Sequence, residues 1–154
     1  MNFQESYDDY EVIQKIVSKS ENIEELINFF SFLDDLFCKH YGEKGLEFLG
    51  RESVIIGLFA AIGNYIDIKN FNSSIEDIKN KLSEKIHCFS LDKFEQMKKN
   101  VDVTSFNIGD VMKETVYYLT LQILKDKELY FSDFPVDDFI SYKKFIKELK
   151  NVNK

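Results

Sequence analysis

The residue types best suited to chemistry are sparse in this chain and fall in two short clusters, Cys38-Lys39-His40 and His87-Cys88. Two thiols and two imidazoles make up the right number of donors for a tetrahedral zinc ion. Their spacing works against it. Structural zinc sites separate paired ligands by two to four residues, whereas these are adjacent or one residue apart. On a helix, Cys38 and His40 would point about 200° apart, so one ion could not be reached by both. A thiol nucleophile, Cys38 or Cys88 activated by His87 or His40, is the second chemistry to weigh. No nucleophile elbow surrounds these residues and no glycine-rich loop offers an oxyanion hole. The expectation is no metal, no cofactor and no catalytic site, with Cys38 a small apolar residue near the core. His40 would then sit near a helix C-terminus, whose partial negative charge favours it.

Carboxylates are the other possible reagents, and there are 27 of them. Neighbours such as Asp34-Asp35 and Asp137-Asp138 diverge by about 100° on a helix, so neither pair converges as a glycosidase pair must. Asp34 falls between Phe30 and Phe37 on an apolar stripe, which places it at the core edge with a partner or facing a ligand. No Walker loop, dinucleotide fingerprint or calcium loop is present. What remains is acid interleaved with aromatics. One patch is Tyr7-Asp8-Asp9-Tyr10-Glu11, followed by Glu24 and Glu25; another runs from Tyr130 through Asp133 to Asp137 and Asp138. Tyrosine and phenylalanine anchor interfaces, and surrounding charge steers a partner of opposite sign.

The distribution of charge gives those patches a direction. The net charge is −7. Met1 to Asp35 holds nine acids against Lys15 and Lys19, so these 35 residues account for all of it, and the remaining 18 acids and 18 bases cancel. Such a surface repels nucleic acid and anionic membrane and attracts basic proteins. Arg51 is the only arginine, a poor endowment for recognising phosphate. At 154 residues, with 44% hydrophobic and 31% charged residues, the chain reads as one folded domain over residues 1–154. The polar, acidic opening Met1–Tyr10 lacks the look of a secretory leader. The longest apolar run, Val54 to Ile62, is far short of the roughly 20 residues of a membrane span. A cytoplasmic setting with reduced thiols is expected.

These side chains must be positioned by helices, because the apolar spacing is helical almost throughout. The expected fold is all-α, a single compact bundle of about seven helices. Ser18 with Glu21 makes a capping box for a helix ending near Gly42, its inner face formed by Ile23, Ile27, Phe30, Leu33, Phe37 and Tyr41. Arg51 to Ile66 is apolar nearly all round and marks a buried central helix, in which Gly57 and Gly63 would permit close approach of a neighbour. Ser73 with Glu76 suggests a second capping box, leading into Ile75, Ile78, Leu82 and Ile86. Ser90 and Asn107 cap two further helices. The β-branched and aromatic stretch Thr115–Leu124 could run as a strand, but it would have no partner. Pro135 starts a last helix with Phe139, Tyr142, Phe145, Ile146 and Leu149 inward.

A small, acidic, helical chain with the run Tyr7-Asp8-Asp9-Tyr10-Glu11 and with Glu24 and Glu25 resembles, as a class, the immunity proteins of contact-dependent and polymorphic toxin systems. That resemblance implies an acidic binding protein, not an enzyme, that occludes the active site of a basic nuclease domain. Tyr7, Tyr10 or Tyr130 would serve as anchors. A phage-type nucleic-acid mimic acting on a host nuclease, or a small helical enzyme with a carboxylate or thiol pocket, are the competing expectations. Reversing charge with Asp8→Lys and Asp9→Lys should weaken binding to a basic partner and slow association at low salt. Stopped-flow mixing measures this, and an unchanged rate removes the electrostatic argument.

Overall fold

The all-round apolar run from Val54 to Ile62 can be satisfied in one way, by a helix covered on every side. The computed structural model describes residues 23–66, 71–101, 108–127, 144, 146–148 and 150–151. Among them are six α-helices, one 3-10 segment and no strand. In chain order these are α1 (Ile23–Tyr41), α2 (Glu43–Leu49), α3 (Glu52–Ile66), α4 (Phe71–Glu84), the 3-10 segment (Ile86–Cys88), α5 (Leu91–Val101) and α6 (Ile108–Leu124). The all-α bundle expected from periodicity is what forms, and no described helix is long and apolar enough to cross a membrane.

Helix α3 is the buried centre, with Val54, Leu58, Phe59, Ala60, Ala61 and Ile62 sealed from solvent. It shares that position with α6, which sequence periodicity did not single out. Val116, Leu119 and Leu124 are fully buried, and so are the polar Thr115 and Thr120. The stretch that could have been a strand is therefore helical. Thr115 shows why that is tolerated: its hydroxyl donates to the Val111 carbonyl one turn back, at 2.8 Å, which satisfies a buried polar group locally. The most extensive helix–helix contact among the described elements is α3 against α6. It is close because Gly57 has no side chain: a Cβ there would stand 2.6 Å from the Lys113 carbonyl oxygen and 3.1 Å from Val116 Cβ. One helical face further along α3, Asn64 donates to the Tyr117 hydroxyl and locks the crossing.

Helix α6 ends in a Schellman arrangement. Asp126 takes the left-handed conformation at φ 57°, its N–H reaches Ile123 O at 3.3 Å, and Lys127 N–H reaches Gln122 O at 3.0 Å. Lys81 of α4 completes this end by donating to Leu124 O at 2.8 Å and to Asp126 Oδ2 at 3.0 Å. Tyr65 of α3, whose hydroxyl donates to Asp77 Oδ2 at 2.7 Å, lies under the same ammonium group. Burial works against the charge on Lys81, but its bonds to Asp126 and Tyr65 win and hold its pKa above the ordinary lysine value. Its contribution to stability therefore persists through neutral pH and fades only as alkaline pH passes the ordinary lysine value and rises through the folded one.

Helix α1 forms as expected but is rotated about its axis. Phe29, Leu33 and Phe37 are buried to within 1% of complete, while Ile27 stays 57% and Phe30 38% exposed. The row spaced by four wins because it meets aromatic partners. Phe29 lies edge-on to Phe59 at 6.0 Å, and Phe37 sits 6.0 Å from Phe48 and 5.5 Å from Phe89. Gly42 stops the helix with φ 69°, its N–H bonded to Cys38 O at 2.7 Å. The short α2, unforeseen from sequence, starts at once, because the Gly42 carbonyl accepts the N–H of Gly45 at 3.0 Å.

Two further boundaries bear on the sequence reading. Helix α4 begins at Phe71, so Ser73 stands inside its first turn and not at the N-cap position expected for it. Ser74 beside it is buried at 2% exposure. Ser90 stands directly before α5, in the position expected for its cap, and its carbonyl accepts the first helical bond, from the Phe94 N–H at 3.1 Å. The Ser18–Glu21 box, Asn107 and Pro135 lie outside the described residues. Residues 146–148 and 150–151 are helical, with Ile146 buried and Lys150 over the Tyr118 ring at 5.8 Å, as an inward-facing last helix requires.

Gly57→Ala should destabilise the fold by about 1–3 kcal/mol through overpacking, although alanine is intrinsically the better helix former by about 1 kcal/mol. Urea unfolding measures the difference, and a stabilised variant would contradict the close crossing.

Candidate partner-binding face

The rotation of α1 decides what its outer side offers. Glu24, Ile27, Asn28, Ser31, Asp34 and Asp35 are all exposed and recur at the three- and four-residue intervals of one helical face. Phe30 lies at its border, its ring 4.8 Å from Phe59 and its edge open to solvent. Asp34 is thus exposed and not at the core edge, and it has no partner among the described residues. The Phe29–Leu33–Phe37 row turns it outward.

Glu24, Asp34 and Asp35 make no ion pair or side-chain hydrogen bond among the described residues. Several carboxylates elsewhere are engaged. Glu95 holds Arg51 at 2.7 Å, Asp126 holds Lys81 at 3.0 Å, and Glu114 and Glu76 approach Lys150 and Lys79 at 3.8 and 3.7 Å. The cause is in the sequence: no base occurs from Ser20 through Cys38. The first cations after that stretch, Lys39 and His40, sit in the last turn of α1, where the helix dipole favours them. The outer face of α1 is therefore a strip of unpaired negative charge around two exposed apolar side chains.

Of the residues that sequence pointed to for partner binding, Glu24 is on this strip and exposed. Glu25 belongs to α1, but its side chain lies outside the described residues. So do Tyr7, Asp8, Asp9, Tyr10, Glu11, Tyr130, Asp133, Asp137 and Asp138. Sequence reasoning missed Ile27 and Phe30, which it assigned to the core. The available signal was their number, since α1 carries more large apolar residues than one buried face can hold.

The residues considered for chemistry do not assemble. Cys38 is exposed and Cys88 buried, so the expectation of Cys38 near the core is corrected by the same rotation of α1. His40 is exposed, packed edge-on to Tyr41 with ring centroids 4.5 Å apart. Burial raises the Cys88 thiol above its ordinary pKa, with Lys85 pulling weakly the other way, which disfavours the nucleophilic thiolate. Tyr41 is pushed up more strongly by burial and by Cys88, so it stays a neutral donor, bonding Ile86 O at 2.6 Å. Glu84 and His87 share a glutamate-x-x-histidine spacing, the unit of di-iron bundles, which need two of them on continuous helices. Here α4 ends at Glu84 and His87 lies in the 3-10 segment. Among the described residues no group of three or more His, Cys, Asp or Glu side chains could hold a metal.

A comparison with protein-family models finds no match to this chain, and searches of curated proteins and of solved structures likewise find none.

In the native protein a thiol reagent should label Cys38 rapidly and leave Cys88 unmodified until denaturant is added. Mass spectrometry after timed alkylation reads this out, and equal labelling of both would show that the core around Cys88 is open.

Proposed function

We propose that the chain is an acidic binding protein of the immunity-protein type, which neutralises a basic, nuclease-like toxin domain by covering its active site one-to-one. The observation that carries this reading is the strip of unpaired carboxylates on α1, Glu24, Asp34 and Asp35, around the exposed Ile27 and Phe30. A protein gains little in its own stability from unpaired surface acids, and large exposed apolar side chains grouped with them are a common mark of an interface. In such a complex the carboxylates take the places that phosphates occupy on the toxin's substrate and meet its lysines and arginines. Ile27 and Phe30 supply the apolar centre from which water is excluded. The long-range field of the first 35 residues speeds encounter. Tyr7, Asp8, Asp9, Tyr10 and Glu11 would extend the same acidic surface, with Tyr130, Asp133, Asp137 and Asp138 as a second contact.

The test is protection in cells together with association kinetics in solution. Co-expression with a basic nuclease toxin encoded beside this chain should restore growth. A variant carrying Glu24→Lys, Asp34→Lys and Asp35→Lys should lose that protection and associate roughly tenfold or more slowly at low salt. Its unfolding transition should match that of the parent, because the three side chains have no partners among the described residues. Full protection by the triple variant would sink the reading.

A further inference from the structure

A cleft of about 310 Å³ opens between α2 and α5, lined by no residue of α1. Its apolar lining is Phe48 and Leu91, and its rim carries charges of both signs. At one end Arg51, in the turn after α2, donates from Nη2 to Glu95 Oε1 of α5 at 2.7 Å. That bond fixes the guanidinium across the opening while other N–H groups of its fork stay available. Lys44 and Glu47 of α2 and Asp92 of α5 complete the rim, and none of these three makes an ion pair or side-chain hydrogen bond among the described residues.

Lys44, Glu47 and Phe48 stand at intervals of three and four residues on one face of α2, and Arg51 follows in the turn after it, lining the same cleft. This side of the cleft contributes both cations, whereas α5 contributes acids alone. A phosphate or dicarboxylate would meet Arg51 and Lys44 but would also meet Glu47, Asp92 and Glu95. A simple cation would satisfy the acids and leave the free edge of Arg51 unused. A small molecule with one carboxylate, one ammonium group and an apolar side chain matches every part. The volume stands at the small end of the range for ligand sites, as that size requires.

We propose that this cleft binds a free amino acid with an aliphatic side chain. Its carboxylate lies against Arg51 and Lys44, its ammonium group against Glu47 and Asp92, and its side chain on Phe48 and Leu91. The site is independent of the partner-binding reading, since it uses no residue of α1.

Leucine, leucinamide and N-acetyl-leucine, titrated into the full chain by calorimetry and by amide chemical-shift mapping, test each contact. Leucine should bind in the micromolar to millimolar range with shifts centred on residues 44–51 and 91–95, and each capped analogue should bind at least about tenfold more weakly. Arg51→Met and the double variant Glu47→Gln with Asp92→Asn should each weaken leucine by a similar factor while melting as the parent does. Absence of leucine binding, equal binding of either analogue, or shifts mapping elsewhere would overturn the assignment. Should Arg51→Met fail to fold, the Glu47→Gln, Asp92→Asn variant decides alone.

Discussion

The fold hangs on how closely α3 and α6 can approach. Two helices buried on nearly every side must fill the space between them with very little side-chain volume, and Gly57 supplies the gap into which the Lys113 carbonyl and Val116 fit. Ala60 and Ala61 keep α3 slender just beyond it, and the Asn64–Tyr117 bond fixes the rotation of one helix on the other. Packing at this density leaves dispersion and apolar burial as the main stabilising terms, at about 1.5–3 kcal/mol for each large aliphatic or aromatic side chain fully removed from water. The cost of burying Thr120 and Gln122, whose side-chain oxygens lack partners among the described residues, is carried by the same contact.

Around that pair the remaining described helices are secured by a few directional contacts. Lys81 ties α4 to the carbonyl end of α6 and lies over Tyr65 of α3, so a single ammonium group touches three elements. Phe37, Phe48, Phe89 and Phe94 join α1, α2, the 3-10 segment and α5 through rings 4.8 to 6.4 Å apart. Tyr41 closes this cluster by bonding Ile86 O. Among the described residues the aromatic side chains lie mainly inside, and the exposed Phe30 stands out for that reason.

The proposed function is bound to the same geometry through α1. Because its inner row is chosen by the rings awaiting it, its outer row falls to Glu24, Ile27, Asp34 and Asp35. The absence of bases from Ser20 to Cys38 then leaves the carboxylates without partners among the described residues. Elsewhere some acids, Glu95, Asp126, Glu114 and Glu76 among them, stand beside basic side chains on neighbouring turns or helices. The charge asymmetry along the chain becomes a charge asymmetry on one helical face.

Periodicity alone was enough to specify helices, the stop at Gly42 and the burial of most of residues 54–62, because these depend on spacing and local backbone preference. Gly57 could be recognised as a close-approach site for the same reason, although its neighbour could not. The rotation of α1, the start of α4 ahead of Ser73, the helix α2 and the second buried helix α6 were decided by tertiary structure. An apolar stripe wider than one face admits several rotations of nearly equal burial, and only the positions of Phe48, Phe59 and Phe89 choose among them. Net charge and its concentration near the start of the chain were legible from composition. Which acids remain unpaired was not, because an ion pair between helices depends on distances that no local pattern encodes.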